Sequence, residues 1–255
     1  MKRIAALVAV LPIVFAGAAW SKDDPPKDAA KAAAKDPVVA ARMAAAAAKP
    51  DSTKNKDLQS AITPDAAIKA LKEGNTRFTG GKMVKRDLMK QVKETGKGQY
   101  PFASVVSCID SRSGPEMVFD QGIGDMFVAR VAGNIVNEDI LGSLEFASKV
   151  AGSKVIVVLG HTSCGAIKGA CDDVKMGNLT ALLAKMKPAV ASVKETGDRS
   201  SKNYAFVEKV AEANVQDTVA AIKAKSPVLK EMADKGEIKI VGAMLDVTTG
   251  KVLWY

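Results

Sequence analysis

The run KVIVVLG at residues 154–160 constrains this chain more than any other stretch. Val155, Ile156, Val157, Val158 and Leu159 follow one another with no polar alternation, so a strand built from them needs apolar cover on both faces. That requirement places it inside a parallel sheet sandwiched by helices. Two more short, β-branched-rich runs, PFASVVS at 101–107 and DMFVARV at 125–131, read as companion strands. Helical patterns surround them. TPDAAIKALKEGNTRF at 63–78 opens with a Thr cap and a Pro at the first helical position, and Ile68, Leu71 and Phe78 keep helical spacing. ILGSLEFASKVAG at 140–152, NLTALLAKMKPAVASVKE at 178–195 and the stretch 203–225 also read as helices, the last with Val207, Val210, Val215, Val219 and Ile222 on one face. The final residues, 238–255, read as two strands around a TTG turn. The predicted fold is therefore α/β: a mainly parallel β-sheet flanked by helices, with N-terminal helices and a C-terminal strand or hairpin at the edge.

The first residues follow a different logic. Lys2 and Arg3 precede an apolar run over 4–15, and Ala16, Gly17 and Ala18 supply small residues where a signal peptidase cuts, which predicts a signal peptide over 1–18. The run is short of the roughly 20 residues of a spanning helix, so no stable membrane insertion is expected after cleavage, and the protein is expected in the periplasm or secreted. Residues 19–57 are rich in Ala, Lys, Asp and Pro and poor in large apolar side chains, which predicts a flexible tether before a folded body over 58–255.

The formal charge of +9 is spread over scattered lysines with few aromatics beside them, which argues against a nucleic-acid partner. The chain has three cysteines, Cys108, Cys164 and Cys171, and one histidine, His161. An odd cysteine count in an exported protein does not make a simple disulfide framework. Cys108 follows the first predicted strand and His161 the third. Ligands of an open parallel sheet bind at the carboxyl ends of its strands, so these two distant residues become neighbours. Ser163 reads as the cap of a new helix with Cys164 in its first turn, where a helix amino end favours thiolate. Two thiolates and an imidazole suit zinc, and three protein ligands leave one position open for water, whose pKa catalytic zinc lowers to about 7. Asp110 and Arg112 lie two and four residues past Cys108. A carboxylate held by a bidentate arginine stays ionised and orientated beside the metal; alternatively Asp110 is itself a fourth ligand and closes the site. Competing readings are a Cys108–Cys164 disulfide, a plain surface ion pair for Asp110 and Arg112, and turn glycines at 121–124. Cys171, two turns past Cys164, reads as a buried small hydrophobe.

Cys108-x-Asp110-x-Arg112 paired with His161-x-x-Cys164-Gly165 resembles the β-class carbonic anhydrases, and the likeness extends through EGNTRF, GQYPFA, GDMFVARVAGNIV, GSLEFA and VIVVLGH. The chain is similar to an exported bacterial member. The resemblance implies reversible hydration of carbon dioxide to bicarbonate, with Zn2+ on Cys108, His161 and Cys164 and Asp110 with Arg112 as the catalytic dyad. It further implies that Gln99, Phe127 and Ala132 bind substrate, the glutamine and phenylalanine coming from a partner subunit, so that a homodimer or a dimer of dimers is expected. Relatives on the scaffold hydrolyse carbonyl sulfide or carbon disulfide, and a non-catalytic zinc protein is the remaining alternative. Three departures stand out: Phe146 replaces a tyrosine, Val105 occupies the place of a tryptophan tied to an inhibitory bicarbonate pocket, and a shuttling histidine is absent.

Overall fold

The computed structural model describes residues 52–255. The signal peptide expected at 1–18 and most of the tether expected at 19–57 lie outside the described residues. Three helices come first: α1 (Lys56–Ala61), α2 (Pro64–Thr79) and α3 (Leu88–Thr95). The boundary expected at residue 58 falls inside α1, whose cap Asn55 accepts a hydrogen bond from the Leu58 N–H. Lys54 is already buried and faces Asp125 at 3.6 Å, so the folded body begins before residue 58.

Then follow β1 (Ala103–Ser107), α4 (Pro115–Val118), β2 (Met126–Arg130), a 3-10 turn (Ala132–Asn134), α5 (Glu138–Glu145) and β3 (Val155–His161). The remainder is α6 (Gly165–Cys171), α7 (Gly177–Ala184), α8 (Lys187–Ser192), α9 (Tyr204–Lys225), α10 (Pro227–Asp234), β4 (Lys239–Leu245) and β5 (Val252–Trp254). The sheet runs β2-β1-β3-β4-β5, parallel throughout except for β5, which returns antiparallel on β4 as the expected edge hairpin.

Strand β3 is buried at every position, as its unbroken apolar run requires. Ile156 and Val158 point with Val106 into a core shared with Phe206, Val207, Val210, Val215 and Ile222 of α9. Val155, Val157 and Leu159 point the other way, onto Ala67 and Leu71 of α2 and onto Phe119. Helix α2 comes close because residue 74 is glycine: a Cβ there would stand 1.8 Å from the Phe119 carbonyl oxygen. Its neighbour Asn75 donates to the carbonyls of Val118 and Gly250 and accepts from the Val252 N–H, tying the helix to the hairpin.

Two helices differ from expectation. The pattern at 178–195 is two helices, because Pro188 lies in the first turn of α8, where its missing N–H costs nothing. The pattern at 140–152 starts earlier, capped by the Asn137 side chain, and widens into a π turn over Phe146–Val150. Among the described residues, no helix is long and apolar enough to cross a membrane.

Candidate metal centre

All the candidate ligands sit at the carboxyl edge of the sheet. Cys108 directly follows β1, His161 ends β3, and Cys164 immediately precedes α6. The three are buried, and their ligand atoms lie within 4.8 Å of one another. Zinc bonds of about 2.3 Å to sulfur and about 2.0 Å to nitrogen put tetrahedral ligand atoms roughly 3.5–3.8 Å apart, so the cluster has the right size. The imidazole is orientated for the task. Its Nδ1–H donates to the Thr162 carbonyl at 2.9 Å, which leaves Nε2 as the bare nitrogen, and Nε2 is buried without a hydrogen-bond partner. A buried acceptor without a donor is costly, and a cation facing it removes that cost.

The two sulfurs are close enough to shift each other's pKa. The Cys164 thiol beside Cys108 holds the latter down to about 4, aided by His161 and by the Gly133 N–H, while burial opposes. The same contact with Cys108 pushes Cys164 up, though the N–H groups of Ile167 and Ala166 pull it back. For His161, burial lowers the pKa, but the neighbouring Cys108 sulfur, with Thr162 and Asp110, outweighs it and the net shift is upward. Thiolate sulfur and imidazole nitrogen are the forms a divalent cation takes, and its binding releases the protons these groups hold.

Asp110 and Arg112 form a fork. Arg112 Nε and its backbone N–H donate to Asp110 Oδ1 at 3.0 and 2.9 Å, and Nη2 donates to Oδ2 at 2.8 Å. That guanidinium, foremost, holds the Asp110 carboxyl down to about 2. Oδ2 lies 3.9 Å from His161 Nε2, so the fork stands at the edge of the metal centre and is more than a surface ion pair. The free thiols of Cys108 and Cys164 are not joined as a disulfide, and Cys171 is half-buried and outside the cluster.

Other expected residues fall elsewhere. Ala132 opens the 3-10 turn beside Gly133 and is half-buried. Phe127 on β2 is half-buried and meets Phe146 edge-on, with ring centroids 6.3 Å apart. Gln99 is exposed in the loop between α3 and β1, at the amino end of the sheet, opposite the edge that carries Cys108. Ser163 is not a helix cap: it adopts the left-handed conformation, φ 56°, and Cys164 stands in the cap position without a side-chain cap bond.

Several supporting residues escaped the sequence reading. Arg130, from the end of β2, donates to the carbonyls of Cys108 (3.0 Å) and Asp110 (2.6 Å) and so fixes the loop that carries both. Gly133 donates its N–H to Cys108 Sγ at 3.4 Å and its carbonyl accepts from Asn214 on α9 at 2.8 Å. The GN pair in VAGNIV was the available signal, since both Gly133 and Asn134 take positive φ.

Against this geometry, the carbonic anhydrase family profile matches residues 103–252. The chain belongs to the β-carbonic anhydrase family. Carbonic anhydrase 2 of Mycobacterium tuberculosis is 35% identical over 196 residues, covering 74% of this chain and 92% of that one. The fold is that of the β-carbonic anhydrase CafA of Aspergillus fumigatus, with TM-score 0.56, 24% identity and coverage of 75% and 89%. A tetrameric β-carbonic anhydrase of Sordaria macrospora superposes equally, with TM-score 0.56, 22% identity and coverage of 65% and 89%.

Proposed function

We propose that this β-carbonic anhydrase catalyses the reversible hydration of carbon dioxide to bicarbonate and a proton, with zinc held by Cys108, His161 and Cys164. The observation that carries the reading is the buried sulfur–sulfur–nitrogen cluster with a bare Nε2 and an arginine-held carboxylate 3.9 Å from it. The naming of the Mycobacterium tuberculosis relative supports it. Zinc bound there would lower the pKa of water to about 7 and so supply a nucleophile at neutral pH.

The chain's own residues do the rest. Asp110, kept ionised by Arg112, is a hydrogen-bond acceptor at Oδ2 that would orientate the attacking water. Because both carboxylate oxygens are engaged by Arg112, Asp110 is held off the metal, which favours the open over the closed arrangement. Phe127 and Ala132 supply apolar wall for carbon dioxide. Gln99 reaches a site only in a second copy, because in its own protomer it lies at the opposite edge of the sheet. The half-exposed edge strand β2, with the exposed Phe146 against its Phe127, supports a homodimer or a dimer of dimers. A species that sediments as a monomer while fully active would overturn the shared site. The periplasmic or secreted location continues to rest on residues 1–18.

Asp110→Asn tests the open arrangement. The variant should keep zinc at one per chain and lose at least roughly ten- to a hundredfold in kcat, the scale of losses when a partner beside a metal is removed. Loss of zinc with the carboxylate would instead identify Asp110 as a fourth ligand.

A further inference from the structure

We infer that Glu208 is a positioning residue for the metal centre, acting through the backbone of Ser163; this rests on the reading that Cys108, His161 and Cys164 hold zinc. Ser163 lies between two of those ligands. The chain must reverse there within two residues to bring His161, the last residue of a strand, and Cys164, the first before a helix, onto one point. It does so by placing Ser163 at φ 56°. A residue with a Cβ pays about 1–2 kcal/mol for that conformation, so something must hold it.

What holds it comes from outside the loop. The Ser163 N–H donates to Glu208 Oε1 at 2.8 Å, from a residue 45 positions later on α9. Glu208 is half-buried, and burial raises its pKa, with the Ser163 N–H and nearby His161 offsetting that only in part. The other side of the turn is fastened independently: the Thr162 N–H donates to the Leu245 carbonyl, and Thr162 Oγ1 accepts from the Val247 N–H. Thr162 is thus pinned to the end of β4 and Ser163 to α9. Of the two pins, only Glu208 is an ionisable group. A charge-assisted bond to a backbone N–H is stronger than a neutral one. Glu208 acts on the turn through the Ser163 N–H; its role is to keep the His161–Cys164 span in its metal-ready shape.

The test uses the full-length protein, with zinc affinity measured by competition against a chromophoric chelator and the visible spectrum of the cobalt-substituted protein as a report on ligand geometry. Glu208→Ala should weaken zinc binding roughly ten- to a hundredfold, the usual loss when a group supporting a ligand is removed, and shift the cobalt bands. Glu208→Gln keeps an oxygen acceptor and should recover most of that affinity. Ser163→Gly added to Glu208→Ala should also recover affinity, because glycine adopts the positive φ without cost. Glu212→Ala removes the same charge one turn further along α9, away from the turn, and should bind zinc as the wild type does. Two results would overturn the proposal: Glu208→Ala with wild-type affinity and spectrum, or a loss that glycine at 163 does not relieve. A wild-type protein that fails to bind zinc would sink the metal reading itself, a result separate from either.

Discussion

At the scale of single residues, the site depends on a few backbone groups as much as on its ligands. Gly133 shows why. Its N–H points at Cys108 Sγ, its φ is 74°, and a Cβ there would fall 2.3 Å from Met186 Sδ. Gly133→Ala therefore combines left-handed strain with overpacking, and should cost roughly 2–4 kcal/mol in urea unfolding as well as disturbing the thiolate. An alanine variant as stable as the wild type would show that the turn can relax. The Cys108–His161–Cys164 cluster and the Asp110–Arg112 pair were legible because Cys-x-Asp-x-Arg and His-x-x-Cys bring these side chains in fixed spacing to strand ends. Arg130 and Glu208 were not, because each acts on the backbone of a segment 20 or more residues away, and a hydrogen bond to a carbonyl or an N–H leaves no pattern in sequence.

At the scale of elements, the strands were readable and the helix interruptions less so. A strand buried on both faces, like β3, has to be continuously apolar, whereas the break between α7 and α8 depended on whether Pro188 would sit inside a helix or at its start. Longer-range fastening was invisible. Asp120 is the clearest case: its carboxylate is fully buried, held by Arg77 of α2 and by Arg86 just before α3, and it accepts from the Val84 N–H. Burial opposes its ionisation, but those hydrogen bonds prevail and its pKa is lowered. Asp120→Asn removes the buried charge that Arg77 and Arg86 both hydrogen-bond and should cost about 3–5 kcal/mol at pH 7. A depressed carboxyl contributes stability above its unfolded value of about 3.9 and loses it as pH falls below. The stabilities of variant and wild type should therefore converge on acidification, and an equal gap in urea titrations at pH 7 and pH 3 would contradict the assignment.

At the scale of the whole molecule, the parallel sheet explains why one histidine suffices. Strands β1 and β3 are neighbours in register, Ser107 beside Leu159, so the residues that leave their carboxyl ends converge without any local sequence relation. Helix α9 then closes the back of the centre through Asn214 and Glu208. The central claim is that this convergence makes a zinc centre that hydrates carbon dioxide. The most direct measurement is zinc content together with stopped-flow carbon dioxide hydration on the full chain, from neutral to alkaline pH, with Cys164→Ser beside it. The account predicts about one zinc per chain and rapid hydration, both lost in the serine variant. A protein that binds zinc yet leaves carbon dioxide unhydrated at every pH, or a serine variant that remains fully active, would contradict it.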